Sequence, residues 1–324
     1  MVVEFIIVAT IATVIGLTAS VGMSGGGYKT PLLIIVFGLG AEMAAAASLF
    51  SALFVAIMGT VAFAQYKPTP ILIRLGLVLA MVTVPCSLLG IALRTSIGDD
   101  LVLRLIFGIL LFPAAIMMLF AERTEREDHT LQRVAYDIYQ SGRVRLGLAF
   151  LGILAGGVAS GLLGVGGGVI IVPVLCILLE MPILIAAATS MFTMIFTSSA
   201  GTVMNYMMLS RFGDISTFIF YGLAMGIGMI IGGQIGPRYA CRIDEVQLKR
   251  IFGFLLVFPL VAMMDIGRMW LDPLGVSFLL GIIGDLIISL LIIVPIGVLR
   301  WYQIRRRTDH SLHTSHLGAL PSSP

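Results

Sequence analysis

Residues 22–61 read GMSGGGYKTPLLIIVFGLGAEMAAAASLFSALFVAIMGTV, and residues 164–203 read GVGGGVIIVPVLCILLEMPILIAAATSMFTMIFTSSAGTV. Laid over one another without a gap, at an offset of 142, they agree at fifteen of 40 positions. The matches include Gly22/Gly164, Gly25/Gly167, Gly26/Gly168, Pro31/Pro173, Ser48/Ser190, Phe50/Phe192, Phe54/Phe196, the Ala44-Ala45-Ala46 and Ala186-Ala187-Ala188 runs, and Gly59-Thr60-Val61 on Gly201-Thr202-Val203. Apolar sequence yields chance matches of one aliphatic residue on another. Glycines, prolines and serines in one ungapped register are harder to produce by chance. A weaker echo, Ile106-Phe107-Gly108 against Ile251-Phe252-Gly253, carries the repeat further along the chain.

The material around the repeat is apolar almost throughout. Hydrophobic residues make up 59% of the 324 and charged residues 11%, against about 45–50% and about 25% in soluble domains. No ordinary core buries that much apolar surface, so lipid must cover most of it. The longest polar stretch, about Glu122 to Arg145, is too short to fold alone. Cys86, Cys176 and Cys241 share no motif and sit in or beside apolar stretches. They read as small buried hydrophobes, with no disulfide framework or metal site. Met1-Val2-Val3-Glu4 lacks the positive start of a signal peptide, so the first apolar stretch is expected to stay.

A helix needs about 20 apolar residues to span a bilayer. The runs at 42–64, 71–93, 101–121, 183–208, 215–237, 246–264 and 273–299 qualify. Two blocks, 2–40 and 146–182, differ: each is an apolar stretch broken by glycines and followed by a run of about ten residues. Ten helical residues rise about 15 Å, half a hydrocarbon core. Both blocks are read as helical hairpins dipping into the membrane, with two full crossings each as the alternative. The expected fold is an all-α polytopic membrane protein. Residues 1–121 and 146–264 form two repeats, each a hairpin plus three spanning helices. A loop at 122–145 joins them, a final helix occupies 265–300, and a tail runs over 301–324.

Parity then sets topology. A hairpin returns to its own face and three spanning helices change it, so the second repeat enters from the opposite side. Basic residues test that inverted arrangement. One face collects fifteen of the 20, and the other only Arg94, Arg104, Arg211 and Arg268, with Lys29 outside both groups. The bias puts the N-terminus outside and the C-terminus in the cytoplasm; the membrane is expected to be the inner membrane of a prokaryote. Inverted repeats with interrupted helices mark secondary transporters, whose sites lie near the midplane. A channel or a structural membrane protein would share the symmetry.

The glycine clusters carry the chemistry. Ser24-Gly25-Gly26-Gly27 precedes Lys29-Thr30-Pro31, and Gly166-Gly167-Gly168 precedes Pro173. Glycines break a helix, proline suits the first turn of the next, and Thr30 is a plausible N-cap before Pro31. Each cluster is thus expected to be a sharp turn feeding a short helix whose N-terminus lies inside the membrane. Such an end presents unpaired N–H groups and about half a positive charge, and glycine admits a ligand close to the backbone. Two of them suit a small anion. The plainer alternative is close helix packing through small residues. Lys29 alone among the basic residues falls at a hairpin tip, and its repeat counterpart is Ile171. Intramembrane charge of that kind points to function by default, unless Lys29 reaches a vestibule or pairs with a carboxylate. Ser48 and Ser190 hold equivalent positions, and Thr18, Ser20, Ser24, Ser160 and Asn205 are further polar groups near the clusters. Asp285, midway along the last helix, is a candidate for carrying a coupling proton.

The rival class is an intramembrane enzyme, since Gly22-Met23-Ser24-Gly25 matches the G-x-S-G of serine-type intramembrane proteases. A serine nucleophile needs a base within reach. His129, His310, His313 and His316 all fall in the expected loop or tail, and Lys29 lacks an orienting third group. No catalytic residue is assigned on this basis. No nucleotide-binding motif is present, and no cofactor, metal or nucleic-acid partner is expected.

The stretch from Ala159-Ser160-Gly161-Leu162-Leu163-Gly164 through Val165-Gly166-Gly167-Gly168, then Val172-Pro173, then Ala188-Thr189-Ser190, resembles the TauE/SafE family of sulfite and organosulfur anion exporters. The first repeat matches more loosely: Ser24-Gly25-Gly26-Gly27 stands where the family often shows a longer hydrophobic-glycine motif. The resemblance covers nearly the whole chain apart from the tail. It implies export of sulfite, sulfoacetate or related anions, with two hairpins building the site. Uptake of another small oxyanion or carboxylate is the alternative.

Overall fold

The computed structural model describes residues 2–17, 26–98, 143–212 and 214–240, with isolated positions between 102 and 112 and between 242 and 261. The chain divides into two compact units, Met1–Met264 and Asp265–Pro324, and every described residue belongs to the first. Eight helices stand among the described residues: α1 (Val2–Leu17), α2 (Gly26–Ile35), α3 (Ala41–Ala64), α4 (Ile73–Ile97), α5 (Arg143–Leu163), α6 (Gly168–Leu178), α7 (Ile183–Phe212) and α8 (Ile215–Ala240). Five are long and apolar enough to cross a membrane: α3, α4, α5, α7 and α8. The expected spans at 42–64, 71–93, 183–208 and 215–237 are therefore present. Those at 101–121, 246–264 and 273–299 lie largely or wholly outside the described residues.

The second hairpin has the short limb its sequence suggested: α5 has 21 residues and α6 has 11. At 1.5 Å per residue the first limb is about 31 Å long and the second about 16 Å. One limb can cross a bilayer alone and the other reaches about halfway. The glycines of 164–168 set the break.

The repeat persists in the helices. α2, α3 and α4 begin at residues 26, 41 and 73, and α6, α7 and α8 at 168, 183 and 215, each 142 later. Packing is exchanged in the same sense. α1 packs along α8 and α4 along α5; α3 packs on α8 and α7 on α4; α3 and α7 pack on each other. Small residues allow these crossings. A Cβ on Gly90 of α4 would lie 2.1 Å from the Val158 carbonyl oxygen of α5, and one on Gly232 of α8 would meet the Gly16 backbone of α1 at 2.5 Å. Gly90 and Gly232 are themselves 142 apart.

Polarity runs inside out relative to a soluble protein. Val2, Val3, Val78, Met81, Leu89, Val144 and Leu151 are exposed, while Lys29, Ser48, Ser51, Arg94, Ser160, Ser190 and Asn205 are buried. Only an apolar solvent rewards that distribution. Cys86 and Cys176 are buried and neither is in a disulfide.

Candidate functional site

The second glycine turn lies wholly inside the protein: every residue from Gly161 to Val169 is buried. It joins the end of α5 to the start of α6, so two helix ends of opposite dipole meet there. Gly164, Gly166 and Gly167 take φ of 71°, 75° and 82°, a region other residues enter only at a cost.

The carbonyl end is filled by protein except at Leu162, whose carbonyl has no donor among the described residues. Gly164 N–H closes α5 on the Ser160 carbonyl at 3.0 Å, the left-handed cap that glycine favours. The Gly161 carbonyl accepts from an Arg94 terminal nitrogen of α4 at 3.0 Å. That of Leu163 accepts from Thr30 Oγ1 of α2 at 3.0 Å. That of Gly164 accepts from Ser48 Oγ of α3 at 2.9 Å. Three elements thus supply donors to carbonyls that a helix end leaves orphaned.

The amide end is left open. Gly167 O accepts from Ile170 and Ile171 N–H, but no acceptor among the described residues takes the N–H groups of Gly166, Gly167, Gly168 or Val169. Beside them lies Ser160, fully buried, with an Oγ that has no partner. A Cβ on Gly167 would sit 3.6 Å from Ser160 Cβ. Ser190 of α7 is also fully buried with a free hydroxyl. Buried polar groups are normally paired, so this turn presents donors in excess. A ligand matching it must be rich in acceptors.

Ser48 and Ser190 therefore behave differently despite equivalent positions: one hydroxyl tethers the turn, the other is free. Lys29 is fully buried, and its Nζ donates to the Ser48 carbonyl at 3.0 Å. Neither a vestibule nor a carboxylate partner accommodates it among the described residues. Thr30 is not an N-cap. α2 begins at Gly26, and both Thr30 and Pro31 lie beyond its first turn, as does Pro173 in α6. α6 starts on Gly167 with no side-chain cap, and Thr30 reaches across to α5. Arg94 also needs correction, because it is not a loop charge. It belongs to α4 and is 1% exposed, held by the carbonyl end of α5, where a cation is favoured. Sequence position near the end of an apolar run concealed this. The burial of Gly161 against α4 was the missing signal. Ser24, Gly25 and Asp285 lie outside the described residues.

The family model for the sulfite exporter TauE/SafE matches residues 5–264. A probable membrane transporter protein, YunE, of Bacillus subtilis is 27% identical over 270 residues, 78% of this chain and 95% of its own length. A probable membrane transporter protein of Xylella fastidiosa (strain Temecula1) is 29% identical over 78% of this chain and 91% of its own. The probable membrane transporter protein MJ0441 of Methanocaldococcus jannaschii is 24% identical over 80% and 97%. No solved structure matches the chain significantly. With most of its described helices inside the matched region, this integral membrane protein belongs to the TauE/SafE family.

Proposed function

We propose that the protein is a secondary transporter that exports small oxyanions, sulfite or organosulfonates, across the inner membrane. One observation carries this. At the buried glycine turn the carbonyls of Gly161, Leu163 and Gly164 have protein donors, whereas among the described residues four backbone N–H groups and the Ser160 hydroxyl have no partner, against two unpaired carbonyls, Leu162 and Gly166. An anion accepting from Gly166–Val169 and Ser160 would satisfy them at once, in the manner of helix-end anion sites. By the register of the repeat, Gly25–Gly27 of the first hairpin would supply the matching wall, with Ser24 and Ser190 as polar candidates. Lys29 adds positive potential one residue from Thr30, which is itself bonded to the turn.

The inverted repeat gives such a site its motion. It is supported by the common 142-residue offset of helix starts and by the exchanged packing of the two halves. The basic loop around 122–145 and the tail beyond residue 300 would be cytoplasmic and the N-terminus outside. Asp285 is the coupling-proton residue of this scheme. Curated relatives carrying transporter names support transport over catalysis.

Purified protein in liposomes, loaded in turn with sulfite, thiosulfate, sulfoacetate and small carboxylates, tests the proposal. Flux of at least one sulfur oxyanion is expected, with lower affinity in Lys29→Gln and none in Gly168→Leu. Absence of anion flux from folded wild-type protein would refute it.

A further inference from the structure

Arg94 and Asn205 are each 1% exposed. One terminal nitrogen of the guanidinium donates to the Gly161 carbonyl at 3.0 Å, and the other donates to Asn205 Oδ1 of α7. Two donor groups of the pair, Arg94 Nε and Asn205 Nδ2, have no acceptor. Among the described residues no carboxylate forms an ion pair with Arg94. Glu42, in the first turn of α3, acts on its charge only through space.

A guanidinium does not release its proton inside a protein. A buried cation without a direct ion pair is costly, and the carbonyl end of α5 and the distant Glu42 offset only part of that cost. What remains is a fixed positive charge with two spare donors. It is bonded to the residue that follows Ser160, and Ser160 borders the glycine turn.

Resting on the transport function proposed above, we infer that Arg94 and Asn205 form a second anion station beside the glycine turn. An oxyanion there accepts from Arg94 Nε–H and Asn205 Nδ2–H, one oxygen to each. A tightly bound anion must leave as well as enter, and two adjacent stations let it pass from fixed charge to backbone donors without crossing an apolar gap. Because Arg94 keeps its charge at every accessible pH, the station attracts sulfonates, sulfite and carboxylates alike. Selectivity among them falls to the glycine turn.

A plain structural role, capping α5, makes a different prediction for Asn205→Asp. That variant keeps the shape and the acceptor for Arg94 but supplies the protein's own anion. A structural pair would gain an ion pair and transport normally. An anion station would be filled. Sulfite flux from liposomes and sulfite-induced thermal shift are measured on wild type, Asn205→Asp and Asn205→Ala. The expected result is an Asn205→Asp protein that melts at or above the wild-type temperature without anion, yet loses at least tenfold in flux and most of the shift. Asn205→Ala, which adds no charge, is expected to weaken sulfite affinity threefold to tenfold and decides the matter if Asn205→Asp does not fold. Wild-type flux in Asn205→Asp, or unchanged affinity in Asn205→Ala, overturns the station while leaving the transporter intact. A wild-type protein that moves neither sulfite nor sulfoacetate overturns both.

Discussion

Ser160 shows how one side chain separates binding from folding. Its hydroxyl is buried without a partner, so Ser160→Ala removes no bond from the anion-free protein. Thermal stability should be unchanged or slightly raised, because an unpaired buried hydroxyl is itself a cost. A hydrogen bond to a charged group contributes about 1.5–3 kcal/mol. Calorimetric titration with sulfite or sulfoacetate should therefore show affinity falling at least tenfold, and wild-type affinity would remove Ser160 from the site. Thr30 is the converse. Its hydroxyl satisfies the Leu163 carbonyl, so Thr30→Val leaves a buried acceptor unpaired. That should lower stability by about 1–3 kcal/mol, read by thermal unfolding in detergent.

Elements are held by close crossings and by ordinary caps, and these fail differently. A Cβ at Gly90 meets the Val158 carbonyl oxygen of α5 at 2.1 Å, whereas one at Gly98 meets nothing within 4 Å. Gly90→Ala must push α4 off α5, at a cost on the order of 3 kcal/mol. Gly98→Ala, at φ 59°, costs only about 1 kcal/mol of backbone strain. Size-exclusion profiles and melting temperatures should rank them in that order. Asp214, between α7 and α8, accepts from the side chains of Ser216 and Thr217. Those bonds hold its carboxyl down at about 2, from 3.8. The folded value lies below the unfolded one, so the stabilisation is complete above 3.8 and is lost as pH falls towards 2. Asp214→Ala should melt lower at neutral pH and show a shallower acid limb over that window. The long helices were legible because their apolar runs are bounded by charge and glycine, and the start of α3 differs from expectation by one residue. The bonds that pin the second glycine turn were not. Apolar periodicity marks where a helix can run, while a turn is set by φ values and by donors from α2, α3 and α4, all distant in sequence.

For the whole molecule, the repeat could be read from matched glycines, prolines and serines, and the helix starts keep its register. The glycine turn was legible as a break between a long and a short helix, and its anion-binding role is the proposal built on it. Arg94 was not, because a charge near the end of an apolar run looks the same in sequence whether it faces water or a neighbouring helix. Its removal from the sparse face leaves three basic residues there against fifteen, which sharpens the charge asymmetry behind the proposed orientation. Single cysteines at 130 and 310 should resist membrane-impermeant maleimide added outside intact cells, and labelling of either would reverse the orientation. The central claim is that the amides of Gly166–Val169 await an anion. Hydrogen–deuterium exchange on the reconstituted protein, with and without sulfite or sulfoacetate, tests it most directly. The account predicts added protection in peptides covering 164–170, with no change at the α1–α8 crossing. Transport of the anion by the same preparation, with exchange at 164–170 unaltered, would contradict it.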